Sequence, residues 1–234
     1  MEAMNPPIDA ALWNGWLSSG AEELGLELDE QKIALLRRFA EELMEAGKTF
    51  NLTGITDPFE MAVKLMLDSI YPGKFIPDDA RVLDLGTGAG FPGVPLKIAR
   101  PELSMNLIDS RRKRINFLKY AIARLGLTGI RAEQIRAEDL AKREGQQYDT
   151  VVCRAVSSLA ELAGLAAPLL KKNGRLVAMK GDMYKAMAEV EAAGFDNAVI
   201  YPYVLSGLNI ERTVIVVEAG EIFAWNQKAA GNSP

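Results

Sequence analysis

The sequence predicts an α/β protein built on a mostly parallel seven-stranded sheet with an antiparallel hairpin at its C-terminal edge. Three observations carry this reading. From Arg81 onward, short apolar runs alternate with helical stretches at the spacing of βαβ units. The runs are rich in Val, Ile and Leu, as suits strands covered by helices on both faces. The first run leads straight into the glycine-rich turn Gly86-Thr87-Gly88-Ala89-Gly90-Phe91-Pro92-Gly93, a strand–turn–helix junction of the kind that binds ligands at the carboxyl edge of a parallel sheet.

Residues 1–75 read as a helical extension. Leu12, Trp13, Trp16 and Leu17 stand at helical spacing, as do Ile33, Leu36, Phe39, Ala40, Leu43 and Met44, and Gly47 is the expected stop of the second helix. Asn51 to Ile55 reads as a polar turn. Asp57 then caps a third helix with Pro58 in its first position. A loop from Pro72 to Ala80 separates this part from an α/β domain over residues 76–234. There, strands are expected at 81–86, 103–109, 130–135, 149–154, 174–180, 196–204 and 212–218. The intervening helices begin near Pro92, Arg112, Glu138, Ser158 and Asp182. Only a loop, Leu205 to Glu211, joins the last two strands, which makes them the hairpin.

Composition narrows the chemistry. The 234 residues include one cysteine, Cys153, and no histidine. This excludes Ser-His-Asp and Cys-His catalysis, an intrachain disulfide framework and Cys- or His-rich metal sites, so no metal is expected. The first basic residue is Lys32, and no short apolar core follows the start, so no secretory leader is expected. The longest weakly charged stretch, Tyr148 to Leu170, is broken by Asp149, Arg154, Glu161 and Pro168, so no membrane span is expected and a cytoplasmic setting fits. The net charge is −4 but unevenly spread. Residues 1–50 hold 4 basic and 10 acidic residues, whereas residues 111–143 hold 10 basic and 3 acidic ones. The basic stretch is either a solvated helix face or a footprint for a polyanion.

The glycine turn admits two cofactors. Gly88-x-Gly90-x-x-Gly93 satisfies the dinucleotide fingerprint, which keeps a nicotinamide-dependent oxidoreductase open, together with a non-catalytic nucleotide-binding module. Asp84, at the end of the preceding strand, argues for S-adenosylmethionine, whose ammonium and sulfonium accept a carboxylate neighbour that a pyrophosphate would not. Asp109 closes the next strand, where a carboxylate accepts hydrogen bonds from ribose hydroxyls in either case.

Asp84-Leu85-Gly86-Thr87-Gly88-Ala89-Gly90 resembles motif I of the Rossmann-like S-adenosylmethionine-dependent methyltransferases. The longer string through Gly93-Val94-Pro95-Leu96, with Asp109-Ser110 and Lys113-Arg114, closely resembles the RsmG/GidB family, which methylates guanine N7 in 16S ribosomal RNA. Asn51-Leu52-Thr53, Asp68-Ser69, Arg136-Ala137-Glu138, Arg154-Ala155 and Lys180-Gly181 extend the likeness over roughly residues 50–218. The resemblance implies a Rossmann-like methyltransferase fold, S-adenosylmethionine as cofactor, and 16S ribosomal RNA or the small ribosomal subunit as partner. It implies cofactor contacts from Gly86, Gly88, Phe91, Ala137, Glu138 and Arg154, with Asp109 at the ribose. The family often has a histidine shortly before its Asp-Ser pair. This chain has Leu65 there, so no catalytic role carries over to that position.

The residues fit that acceptor. Methylation at cytosine C5 needs a cysteine nucleophile, and Cys153 between Val152 and Arg154 reads instead as a thiol packed in the sheet. Adenine amino methylation uses Asn-Pro-Pro-aromatic after the fourth strand, whereas Asn5-Pro6-Pro7-Ile8 lies at the wrong end and lacks the aromatic residue. Guanine N7 has an in-plane lone pair and no proton, so orientation rather than a general base does the work. Arg154 and Lys180 are the candidates for holding guanine O6 or a phosphate. Arg111, Arg112, Lys113 and Arg114 stand at a helix start, where basic charge opposes the dipole, and are the candidates for RNA phosphate contacts.

Overall fold

The computed structural model describes residues 8–48, 52–154 and 157–231. The turn residue Asn51, Ala155 and the Asn5-Pro6-Pro7 string lie outside the described residues.

Among the described residues, seven strands form one sheet in the order β3-β2-β1-β4-β5-β7-β6: β1 (Arg81–Leu85), β2 (Ser104–Asp109), β3 (Ile130–Gln134), β4 (Tyr148–Arg154), β5 (Leu170–Lys180), β6 (Val199–Leu205) and β7 (Ile210–Glu218). β1 pairs in parallel with both β2 and β4, while β7 runs antiparallel to β5 and β6. The expected hairpin therefore exists, with β7 inserted between β5 and the edge strand β6. A turn at Ser206–Leu208 closes it, with Asn209 in the left-handed region at φ 50°. Because β1 lies between β2 and β4, the strand order reverses there, and a crevice opens above the carboxyl ends of these strands.

Period-two alternation sorts the strand residues onto two faces. Val82, Met105, Leu107, Val152, Val177 and Val214 join one apolar cluster; Leu83, Leu85, Ile108, Val151, Cys153, Leu176 and Ile215 join the other. The first face is covered by α1 (Ala10–Glu23), α2 (Glu30–Gly47), the helical stretch 58–75, α5 (Gly93–Ala99) and α6 (Arg112–Leu125). The second is covered by α7 (Ala137–Glu144), α8 (Leu159–Ala166), α9 (Met183–Ala193) and α10 (Ala219–Gly231). The stretch 58–75 starts as α3 (Pro58–Glu60), with the Asp57 carboxylate accepting from Glu60 N–H. It widens to a π-helix at Met61–Leu67, returns as α4 (Asp68–Ile70) and tightens to a 3-10 turn at Tyr71–Phe75, inside the segment expected to be a loop.

Helix starts follow their capping chemistry. Asp9, Asp29 and Asp182 accept backbone N–H bonds at the starts of α1, α2 and α9, and Ser158 with Glu161 forms a capping box on α8. Pro92 precedes α5 rather than opening it. No element was expected after residue 218, yet α10 is there. Its Ala219 and Ile222 are fully buried, and Trp225 packs on Phe195 with ring centroids 5.5 Å apart. β5 also begins four residues earlier than expected, because Leu170 pairs with Tyr148 ahead of a register shift.

The N-terminal helices share the core of the sheet. Phe39 of α2 is fully buried, with its ring 5.6 Å from Phe91 of the glycine turn and 6.4 Å from Phe117 of α6. Phe39→Ala is expected to cost about 3–5 kcal/mol by urea unfolding, and Phe39→Leu about 1.5 kcal/mol or less. Equal losses would show that side-chain volume at this position does not matter.

Candidate active site

The glycine turn is built around a buried carboxylate. Asp84 is fully buried, and its Oδ2 accepts from Thr87 Oγ1 at 2.6 Å and from Gly93 N–H at 2.8 Å. Between those two anchors the chain takes left-handed backbone at Gly88 (φ 60°) and Gly90 (φ 104°), a conformation that glycine adopts without steric cost. At Gly93 the limit is space: a Cβ there would stand 2.6 Å from the Asp84 carboxylate and 2.9 Å from Leu107. Asp84 is thus not in the wall of the crevice, as the expectation of a direct cofactor neighbour required. It acts from beneath, occupying the first N–H of α5, the donor that a dinucleotide pyrophosphate would need.

Above the turn lies a cavity of about 550 Å³ whose wall includes Gly86, Gly88, Phe91, Asp109, Arg111, Arg114 and Arg154, together with Leu52, Thr53 and Leu65. Leu65, at the position of the family's histidine, is a buried apolar wall residue. Asp109 is 7% exposed. Its Oδ1 accepts from Arg111 N–H at 2.8 Å, and its Oδ2 from Gly88 N–H and Arg114 Nη1, each at 3.1 Å. Ala137 and Glu138 are not in this wall. Ala137 is buried in the second apolar cluster, and Glu138 is exposed in the first turn of α7.

A second cavity, of about 660 Å³, adjoins the first and is lined by Lys64, Asp68, Arg154, Lys180, Glu189 and Arg212 among others. Arg154 belongs to both walls. Its guanidinium lies 5.1 Å from the centroid of the Phe91 ring, and its Nη1 donates to the Lys64 carbonyl at 3.1 Å, near the Asp68 carboxylate at 3.4 Å. Asp68 is buried and also accepts from Tyr203 Oη at 2.8 Å, with Arg212 Nε at 3.5 Å. Burial raises the Asp68 carboxyl above its usual range, against the opposing pull of Arg154, the Tyr203 hydroxyl and Arg212. Lys180 donates to the Ser157 carbonyl at 2.7 Å and pairs with Glu189 at 2.6 Å. Sequence reasoning missed Tyr203 and Arg212. They lie in the C-terminal hairpin and meet Asp68 only through tertiary packing, so neither had a local signal. Arg111, Arg112 and Lys113 are exposed at the start of α6, whereas Arg114 is partly buried against Asp109.

Among the described residues, no group of three or more His, Cys, Asp or Glu side chains could hold a metal ion, and no helix is long and apolar enough to cross a membrane. The donor set fits S-adenosylmethionine: a strand-end carboxylate for a ribose, open glycine backbone, the Phe91 ring, and a helix end already closed to pyrophosphate by Asp84. The sheet order is that of the Rossmann-like methyltransferases, and solved structures agree on the fold. A predicted O-methyltransferase from Agrobacterium tumefaciens matches with a TM-score of 0.51 at 14% identity, covering 64% of this chain and 80% of that one. A ribosomal protein methylase from Lactobacillus delbrueckii subsp. bulgaricus matches with a TM-score of 0.52 at 15% identity, covering 66% and 78%. The chain has the fold of the Rossmann-like, S-adenosylmethionine-dependent methyltransferases.

The family follows from sequence. The model of the GidB family, described as rRNA small subunit methyltransferase G, matches residues 32–208. A relative from Geobacter sp. (strain M21) named ribosomal RNA small subunit methyltransferase G is 38% identical over 206 residues, 86% of this chain and 95% of the relative. One of the same name from Xanthomonas axonopodis pv. citri is 36% identical over 218 residues, 93% and 98% of the two chains. The chain belongs to the rRNA small subunit methyltransferase G family.

The buried carboxylate has a measurable signature. Burial pushes the Asp84 carboxyl up from 3.8 to about 7, outweighing the Thr87 and Gly93 hydrogen bonds that favour its charge. A raised folded-state value means that stability from this group is complete below about pH 4, declines as pH rises, and is lost above about pH 7. Asp84→Asn keeps an oxygen acceptor and removes the titration. Wild type should therefore lose up to about 4 kcal/mol relative to the variant between pH 4 and pH 8 in urea unfolding. Parallel curves for the two proteins would contradict a neutral buried Asp84.

Proposed function

We propose that this enzyme transfers a methyl group from S-adenosylmethionine to N7 of a specific guanine in 16S ribosomal RNA, presented free or in the small ribosomal subunit, in the cytoplasm. One observation carries the reading: in a chain of the rRNA small subunit methyltransferase G family, a cavity suited to the cofactor and a cation-lined cavity suited to a base meet at a single guanidinium, that of Arg154.

Gly86, Gly88 and Phe91 would hold the methionine side of the cofactor, and Asp109 would accept from its ribose hydroxyls. Ala137 and Glu138, at the N-terminus of α7, would face the adenine edge beyond the cavity wall. When bound, the cofactor supplies an electrophilic methyl on a sulfonium. The chain's own task is orientation. The Lys64 carbonyl, Asp68 and the Phe91 ring fix the Arg154 guanidinium, which presents its remaining donors to guanine O6 or a phosphate and leaves the N7 lone pair free. Lys180 adds positive charge on the far wall, moderated by Glu189. No base is required of the protein, in keeping with a chain that lacks histidine and buries its one thiol. Burial pushes the Cys153 thiol up to about 12, which removes it as a nucleophile. The oxidoreductase reading loses its support at Asp84, which fills the helix end a pyrophosphate would use.

Radiolabelled methyl transfer to 16S ribosomal RNA, free and in the small subunit, followed by mapping of the modified base, tests the proposal. Label at a single guanine N7 is expected, and Cys153→Ser should keep most of the activity. Label on a cytosine, or a hundredfold loss in a folded Cys153→Ser protein, would overturn it.

The exposed arginines at the start of α6 are the proposed phosphate contacts. Changing Arg111 and Arg112 together to Gln should weaken RNA binding and reduce the log–log salt slope by roughly 0.7–0.9 for each phosphate no longer neutralised. An unchanged slope would place the RNA on another surface.

A further inference from the structure

We propose that Arg114 couples the two substrates: its guanidinium occupies the ribose-binding carboxylate until the cofactor displaces it, and the released arginine then binds the RNA backbone. This inference rests on the function proposed above and adds an order of events at its site.

Acceptor positions on Asp109 are scarce. A carboxylate offers about four lone-pair sites. Among the described residues three are filled on Asp109, by Arg111 N–H on Oδ1 and by Gly88 N–H and Arg114 Nη1 on Oδ2. One position remains, while a ribose brings two neighbouring hydroxyls. Both cannot donate to Asp109 unless a present donor leaves. Two of the three are backbone N–H groups that cannot leave without refolding the chain: Arg111 is the N-cap of α6, and Gly88 sits in the left-handed turn. The third is the end of a long side chain that is 31% exposed. Arg114 is the donor able to move.

Its position suits exchange. The Arg114 guanidinium lies across the glycine turn, 3.7 Å from where a Cβ on Gly88 would stand, in the wall of the cofactor cavity. It also belongs to the first turn of α6, beside exposed Arg111 and Arg112. A cation in that turn opposes the helix dipole, and Asp109 now offsets the cost. Once the ribose takes Asp109, the best remaining counter-charge for Arg114 is an anion outside the cavity, and a phosphate of the RNA supplies one. Coupling of this kind is reciprocal, so RNA must favour the cofactor by the same factor as the cofactor favours RNA.

Titration calorimetry of the full chain with S-adenosylhomocysteine, with and without 16S ribosomal RNA, tests this. Without RNA, Arg114→Gln should bind S-adenosylhomocysteine roughly three- to fivefold more tightly than wild type, the range for removing a partly exposed competing ion pair. In wild type, saturating S-adenosylhomocysteine should tighten RNA binding by a similar factor and steepen its log–log salt slope by roughly 0.7–0.9, one added phosphate contact. Both effects should vanish in Arg114→Gln. The 2′-deoxy analogue, with one hydroxyl for one open position, should leave wild-type RNA binding unchanged. Weaker or equal cofactor binding by Arg114→Gln would overturn the proposal, since Arg114 would then support Asp109 rather than compete for it. Coupling that persists in the variant would also overturn it. Failure of RNA to bind wild type in either state would overturn the proposed function instead, and the cofactor titration without RNA would still report on competition at Asp109.

Discussion

Everything at this site depends on one buried carboxylate. Asp84 ends β1 with no exposure to water, and its Oδ2 joins the middle of the glycine turn to the first turn of α5 through Thr87 and Gly93. A buried acid is costly unless its lone pairs are used; two donors from the turn use those of Oδ2, while Oδ1 is buried without a hydrogen-bond partner among the described residues. The turn is thereby held in shape before any ligand arrives. The same bond closes the helix end to pyrophosphate and so separates this site from the dinucleotide folds that share its glycine spacing. Gly93 has no side chain because there is no room for one beside that oxygen.

From the turn, the site spreads across three strand ends. Asp109 stands at the end of β2 and Arg154 at the end of β4, each beside β1 in the sheet. Arg154 then ties the α/β core to the helical stretch 58–75, because the Lys64 carbonyl, Asp68 and Ser69 all lie within reach of its Nη1. Asp68 in turn takes Tyr203 and Arg212 from the hairpin. One acid thus gathers groups from separate regions of the chain onto the boundary between the two cavities. The N-terminal helices are part of this arrangement, since Phe39 backs the Phe91 ring over which Arg154 lies.

The carboxylates have different tasks because their surroundings differ. Asp84 is sealed and shapes backbone. Asp109 lines a cavity and, among the described residues, accepts from two backbone N–H groups and one arginine side chain, so it is the acid placed to meet a ligand. Asp68 is buried like Asp84 but faces two arginines, so it orients cations. A chain without histidine can still place charge accurately in this way, and a methyl acceptor with a free lone pair asks for nothing more.

By itself the sequence determined the strand–helix alternation, the hairpin, the glycine turn and the acids and arginines at the strand ends, because these follow from period, turn chemistry and residue type within short windows. Asp84 and Asp109 were legible for that reason, whereas Arg154 was legible as a strand-end residue and drew its cofactor contact from the family resemblance. The helix α10 was within reach of the same reasoning, through Ala219, Ile222 and Trp225, and was missed. Only the tertiary structure decided that Asp84 works from below the turn, that Ala137 and Glu138 stand outside the cavity wall, and that Arg114 turns inward to Asp109 rather than outward with Arg111 and Arg112. Tyr203 stands 135 residues beyond Asp68 in the chain, and Arg212 further still, yet both meet that one carboxylate. Side-chain direction, burial and long-range pairing depend on which surfaces are brought together, and no local pattern carries that information.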